Sequence, residues 1–198
     1  MDIMIIVYAV LAYFIGSIPS GLIIGKTFFN TDVRQYGSKN IGATNTYRVI
    51  GLKAALPVFL CDALKGAAGV VLLSSYGPMY MILGGILAMM GHNWSIFLGF
   101  KGGRGVATGL GVLIALSPLV ALLCFLVWGI IVYFTKLVSL GSIVAAALVP
   151  VLMYVTGESY WFVGFGGLAA LFVIVRHWDN IKRILAGNEL KVERIKKD

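Results

Sequence analysis

"VATGLGVLIALSPLVALLCFLVWGIIVYFT", residues 106–135, carries no charged side chain. It is either one long helix or two helices folded at Ser117-Pro118, and the number of membrane crossings in the chain turns on which. Charge decides. Outside this stretch the apolar segments fall at about 3–25, 53–74, 79–98, 137–156 and 159–176. If 106–117 and 118–135 are separate spans, there are seven, with the N-terminus outside. Every one of the 16 Lys and Arg residues except Lys65 then lies on or beside the cytoplasmic face. The outer side keeps only "SSYGPMY", the Ser117-Pro118 turn and "TGES", none of which is basic. With six spans, either the basic tail or the basic first loop lands outside, against the positive-inside rule. The reading is therefore all-α: seven transmembrane helices, N-terminus out, C-terminus in. It leaves 106–117 short, roughly 18 Å at 1.5 Å per residue, so that span sits where the bilayer is locally thinned or starts before Val106.

The bulk numbers agree. The 198 residues are 60% hydrophobic and only 12% charged, with a mean hydropathy of +0.95; soluble domains carry roughly 25% charge. The runs are apolar on both parities, which excludes a barrel. The whole chain, 1–198, reads as a single membrane domain with cytoplasmic loops at 26–52 and 99–105 and a cytoplasmic tail at 177–198. "MDIM" has an acid and no base, so the first segment is a retained span and not a secretory signal. The net charge of +8 follows from topology, and no nucleic-acid partner is implied. Cys61 and Cys124 stand in apolar runs without metal-ligand spacing and read as small buried hydrophobes. Asp62 and Lys65, three apart on one helical face, read as a pair turned to the protein interior.

Three stretches on the cytoplasmic side break the pattern. "GSKNIGATNTYRVIG", 37–51, has three glycines, two asparagines, Lys39 and Arg48, and no acid. Without a carboxylate it cannot hold a hard cation, so no metal is expected. Glycine-rich turns of N–H donors with Ser38, Asn40, Thr44, Asn45 and Arg48 suit a phosphate. "GHNWSIFLGFKGGRGVATG", 91–109, sets Lys101 and Arg104 around paired glycines before a span, where a helix N-terminus favours anions; His92 there reads as a satisfied interfacial histidine. "RHWDNIKRILAGNE", 176–189, puts His177 and Asn180 on one face, with the imidazole able to bind phosphate or accept a proton. The far tail, "ELKVERIKK", reads as solvated. Ser139 and Ser142 of "SLGS" are candidate helix caps or anion contacts. "GSIPSG", 16–21, reads as a hinge in the first span that lets the next loop tuck in. Together these describe an electropositive, glycine-lined anion pocket beside an apolar groove. A phosphatidyltransferase needs an aspartate cluster, and only Asp62 lies in a membrane run. An H-x-x-x-x-D acyltransferase is excluded because Phe97 and Lys182 stand five positions after the histidines. No Ser-His-Asp set is apparent.

These stretches resemble the bacterial membrane acyl-phosphate:glycerol-3-phosphate acyltransferases, along nearly the whole chain and in the same order. The resemblance rests on "GSIPSG", "GSKNIGATNTYRVIG", Asp62 with "LKG", "GHNWSIFLGFKGGRGVATGLG", "SLGS" and "RHWDNIKRILAGNE". Lys39 departs from a common glycine and Arg104 from a common lysine. The resemblance implies acyl transfer from acyl phosphate to the 1-hydroxyl of glycerol 3-phosphate, giving lysophosphatidic acid and inorganic phosphate, the first step of phospholipid synthesis. It implies an inner-membrane enzyme whose site faces the cytoplasm, with no cofactor. Asn40, Gly42, Ala43, Thr44, Asn45 and Ser142, with Arg104 or Lys101, are expected to cradle the donor's phosphate. Ser38, Arg48, His177 and Asn180, with the other base, are expected to hold glycerol 3-phosphate. The proton acceptor is His177 or the departing phosphate. An organic-phosphate transporter using the same pocket is the competing expectation.

Overall fold

A computed structural model describes residues 2–194. Among these the chain forms ten α-helices and no strand: α1 (Ile3–Ser17), α2 (Ser20–Phe29), α3 (Ala43–Val49), α4 (Leu52–Leu72), α5 (Pro78–Asn93), α6 (Val106–Leu116), α7 (Pro118–Thr135), α8 (Val138–Val155), α9 (Tyr160–Arg176) and α10 (Trp178–Leu185). Four stretches are each long and apolar enough to cross a membrane: Leu52–Tyr76, Pro78–Leu98, Pro118–Thr135 and Val138–Val155. Two bent pairs qualify when each is taken together, α1 with α2 at 45° and α9 with α10 at 60°, and α6 is a shorter apolar helix.

Proline sets the breaks. α6 ends at Leu116, and Pro118 opens α7, a first-turn position where its missing N–H is no loss. The Ser117 hydroxyl donates to the Glu158 carboxylate, tying this turn to the α8–α9 loop. Pro19 divides α1 from α2, as "GSIPSG" suggested, and the carbonyls at the break find donors elsewhere. Ser95 Oγ donates to the Ser17 carbonyl at 2.6 Å and Lys65 Nζ to that of Ile18 at 3.0 Å. A backbone break at membrane depth persists only where such partners exist.

Helix α1 packs on α5, α4 on both α5 and α6, and α8 on both α7 and α9. The α4–α6 crossing is close because two glycines make it so. A Cβ at Gly66 would meet the Thr108 carbonyl oxygen at 2.0 Å, and one at Gly111 the Ala63 oxygen at 1.8 Å. Small residues at such contacts let backbones approach where lipid supplies no hydrophobic drive. Val70, Met89, Val112, Leu116 and Phe165 form one buried cluster, and Leu113, Val120, Val149 and Met153 a second. Cys124 is buried in the second, as expected, but Cys61 is exposed on the outside of the bundle. An apolar run buries only the helical face that meets protein, and Cys61 lies on the other.

Candidate active site

Loop 37–42 is shaped by Asn45. Its amide nitrogen donates to the carbonyls of Val33 at 2.8 Å, Asn40 at 2.9 Å and Tyr36 at 3.2 Å, and its amide oxygen accepts from Ser38 N at 2.9 Å. Asn40 Oδ1 accepts from Gly42 N at 2.9 Å, closing the turn before α3. One buried side chain thus sets four backbone groups. Lys39 takes a left-handed φ of 57°, a conformation that favours glycine.

The second loop is held from two sides. Gly102 N and Gly103 N donate to the carbonyls of Asn93 and His92 at the end of α5. Arg176 Nη2 donates to the Gly103 carbonyl at 3.0 Å. His92 is buried and its Nδ1 has no hydrogen-bond partner, so it is not the satisfied interfacial histidine expected from sequence.

Past α10 the chain runs back as a strap. Arg48 Nε donates to the Lys191 carbonyl at 2.9 Å and its Nη2 to that of Leu190 at 2.7 Å. Val192 N donates to the Lys136 carbonyl at 2.9 Å, and Arg194 Nη2 to that of Ile50 at 3.0 Å. The tail through Arg194 keeps Leu190, Lys191, Glu193 and Arg194 exposed, as a solvated run does, but it is tethered. Its backbone is bonded to α3 and the α7–α8 turn and the Arg194 side chain to the α3–α4 turn; residues 195–197 lie outside the described residues. Glu189 Oε1 accepts from Ser139 Oγ at 2.9 Å and Asn180 Nδ2 at 2.5 Å, and Oε2 from Arg183 Nε at 2.7 Å. Neither serine of "SLGS" caps α8, whose N-cap is Leu137. Ser142 Oγ donates back to the Val138 carbonyl at 2.8 Å.

These segments enclose a cavity of about 470 Å³, within the range for ligand sites. Its polar end holds Ser38, Asn40, Gly42, Ala43, Thr44, Asn45, Arg48, Arg104, Ser142 and His177, together with Ser139 and Glu189. Its apolar end runs between helices past Phe59, Leu113, Phe125, Trp128, Val149 and Phe165. Two expected residues are not on the wall. Lys101 is exposed, and Asn180 is buried behind Glu189. Of the two bases in "KGGRG", Arg104 is the one at the cavity.

Burial lowers the affinity of the Arg48 and Arg104 guanidiniums for their protons, and the Glu189 charge opposes it; both remain cations. Burial also pulls Glu189 upward. The bonds from Asn180, Arg183 and Ser139 outweigh it and hold the carboxyl below its ordinary value. His177, just beyond α9, is pushed down to about 4 by burial. Its Nδ1 lies 2.7 Å from the Val173 carbonyl. A carbonyl only accepts, so Nδ1 carries the hydrogen and Nε2 of the neutral ring keeps its lone pair. Glu189 is the residue that sequence reasoning missed. A pocket read as electropositive directs attention away from an acid in "GNE", although its place in a quoted motif was the available signal.

A family model described as glycerol-3-phosphate acyltransferase matches residues 6–187. The chain is 45% identical over 186 residues to the glycerol-3-phosphate acyltransferase of Fusobacterium nucleatum subsp. nucleatum, covering 93% of this chain and 96% of that one. It is 47% identical over 184 residues to glycerol-3-phosphate acyltransferase 2 of Moorella thermoacetica, covering 92% and 95%. Two crystal structures of PlsY, an integral membrane glycerol 3-phosphate acyltransferase, are similar to the fold. The glycerol 3-phosphate form has a TM-score of 0.89 at 38% identity, and the lysophosphatidic acid form 0.88 at 37%; each match covers 94% of both chains.

Proposed function

The chain belongs to the glycerol-3-phosphate acyltransferase family and is a membrane acyltransferase; from that premise we propose that its donor is an acyl phosphate and its acceptor the 1-hydroxyl of glycerol 3-phosphate. The products are lysophosphatidic acid and inorganic phosphate, and no acyl-enzyme forms. The observation that carries this reading is a single cavity with Arg48, Arg104 and His177 at one end and an apolar channel at the other. It suits a substrate with a phosphate head and a fatty chain.

An acyl phosphate is a mixed anhydride, so the enzyme has mainly to bring two anions together and hold them. Asn40, Gly42, Ala43, Thr44, Ser142 and Arg104 meet the donor's phosphate, with Asn45 shaping that loop. Ser38, Arg48 and His177 meet glycerol 3-phosphate. Asn180 supports the site through Glu189, and Lys101 draws anionic substrate towards it from outside. His177 Nε2 accepts a hydrogen bond from the attacking hydroxyl. The hydroxyl oxygen bonds to the acyl carbon, the carbon–oxygen bond to phosphate breaks, and phosphate leaves with the electron pair. An imidazole with a pKa of about 4 is a weak base beside a phosphate, whose second pKa is about 6 in a phosphomonoester; the departing phosphate takes the proton.

The enzyme sits in the cytoplasmic membrane with seven crossings and its site inside. Four single helices and two bent pairs long and apolar enough to cross support six of them, α6 is proposed as the seventh, and the basic segments gather at one cavity. The test is phosphate release by purified enzyme from acyl phosphate, with and without glycerol 3-phosphate. Release that requires the acceptor supports the reading; release without it, or transfer only from an acyl thioester, overturns the donor assignment.

A further inference from the structure

A buried ionic cluster lies beside the cavity. Asp62 and Lys65 on α4 are 2.7 Å apart, with side chains 3% and 5% exposed. Neutralising each other is one explanation of such a pair, but its contacts go further. Lys65 also grips the Ile18 carbonyl at the α1–α2 break. Asp62 reaches the cavity wall, and its Oδ1 lies 3.8 Å from His92 Nδ1. The ring's other nitrogen bears on the glycine loop, where a Cβ at Gly103 would stand 2.0 Å from His92 Nε2. Gly103 is further fixed by its N–H on the His92 carbonyl at 3.0 Å and by Arg176 on its own carbonyl. The next residue is Arg104.

We propose that Asp62, Lys65 and His92 form a positioning cluster for acyl transfer: the ion pair fixes the imidazole, the imidazole fixes Gly103, and Gly103 sets where the Arg104 guanidinium meets phosphate. None of the three is a catalytic residue. Buried charges held in a pair cannot drift without losing compensation. The carboxylate near Nδ1 favours the ring orientation and tautomer that point a hydrogen towards it. Gly103 has no Cβ, so the ring can sit against the backbone and transmit that position. The inference rests on the reading of Arg104 as a phosphate contact. A charge displaced by about 1 Å from its productive place costs on the order of 100-fold in rate, which gives the cluster its purpose.

Two experiments with the full chain in detergent test it. In the first, Asp62→Asn/Lys65→Met removes both charges together, so neutralisation alone predicts unchanged kinetics in the folded protein. Positioning predicts a rise of about tenfold or more in KM for a phosphate substrate, and little further loss when Arg104→Lys is added. Wild-type KM values in this variant overturn the proposal. In the second, which decides should the first variant fail to fold, Gly103→Ala, His92→Ala and their combination form a cycle. The ring and the new methyl compete for one space, so His92→Ala is expected to relieve Gly103→Ala, and the double variant to outperform Gly103→Ala alone. Additive effects overturn the proposal. If the wild type fails to turn over acyl phosphate with glycerol 3-phosphate, the donor reading falls instead. The same cycle, read by binding of inorganic phosphate, then decides the cluster.

Discussion

Ser139 at the start of α8 donates its hydroxyl to Glu189 of the strap at 2.9 Å, joining two segments fifty residues apart at the polar end of the cavity. The same carboxylate holds Asn180 and Arg183. Glu189→Gln is expected to lose about 1–3 kcal/mol, the scale of charge-assisted bonds, discounted because Arg183 is 37% exposed. The folded carboxyl lies below its ordinary value of 4.5. Its contribution is therefore fully present above that value and is lost as pH falls through the folded one. The Tm gap between wild type and Glu189→Gln should be constant near neutrality and narrow in acid below about pH 4.5. A gap that persists undiminished in acid would contradict the assignment.

This carboxylate also shows where sequence reasoning stopped. Positive-inside charge and the Ser117-Pro118 break made the order of apolar segments legible, because both are local properties of the chain. The polar ends of "GSKNIGATNTYRVIG" and "RHWDNIKRILAGNE" were legible as partners through their chemistry. What was not legible is how each side chain divides its bonds. Asn45 and Asn180 look like ligands in sequence; in the fold the first also shapes a loop at the cavity wall and the second is bonded to Glu189. The alternation of charge in the far tail suggested solvation, and its side chains are exposed, but the bonds that tether it to α3 and to two turns were not legible. Such choices depend on residues far away along the chain.

Arg48 binds two successive carbonyls of the strap, at Leu190 and Lys191, through separate nitrogens. A lysine has one point charge and cannot reproduce that fork. Arg48→Lys should therefore lower kcat/KM by about 100-fold, about 2.7 kcal/mol. It should also expose the strap, read as faster proteolytic cleavage between Gly187 and Arg194. Slow cleavage with lost activity would confine Arg48 to substrate contact.

Lys39 pays for its left-handed φ of 57°, a strain of about 1–2 kcal/mol for a residue with a Cβ. Glycine adopts that backbone freely but loses more entropy on folding. Lys39→Gly is expected to raise stability by about 0.5–1 kcal/mol, measured as a higher Tm in the same detergent. A fall in Tm would mean that the lysine side chain contributes more than its backbone costs.

Topology is testable with single cysteines in a chain lacking Cys61 and Cys124. Ser75→Cys lies in the loop assigned outside, and Lys39→Cys and Lys182→Cys in segments assigned inside. An impermeant thiol reagent should label the first in intact cells and the other two only after permeabilisation. Opposite sides for positions 39 and 182 would be incompatible with the strap that Arg48 anchors.

His177 gives the sharpest kinetic expectation. The hydrogen bond to the Val173 carbonyl fixes Nδ1–H, and burial holds the ring near a pKa of about 4. The neutral, accepting form therefore predominates throughout the neutral range and is lost only as pH falls towards that value. The pH profile of kcat/KM should show an acid limb well below the ordinary histidine value of about 6.5, and no inflection near that value that His177→Ala removes. The acceptor's own phosphate titrates at about 6 in both enzymes. His177→Ala should lose on the order of 100-fold in kcat, since the hydroxyl is no longer oriented. With the departing phosphate as the proposed proton acceptor, the alanine variant should keep the wild-type shape of the neutral part of the profile at its lower rate. An inflection near 6.5 that disappears in His177→Ala would make the imidazole the base. An alanine variant with intact kcat and only a raised KM would leave it a binding group alone.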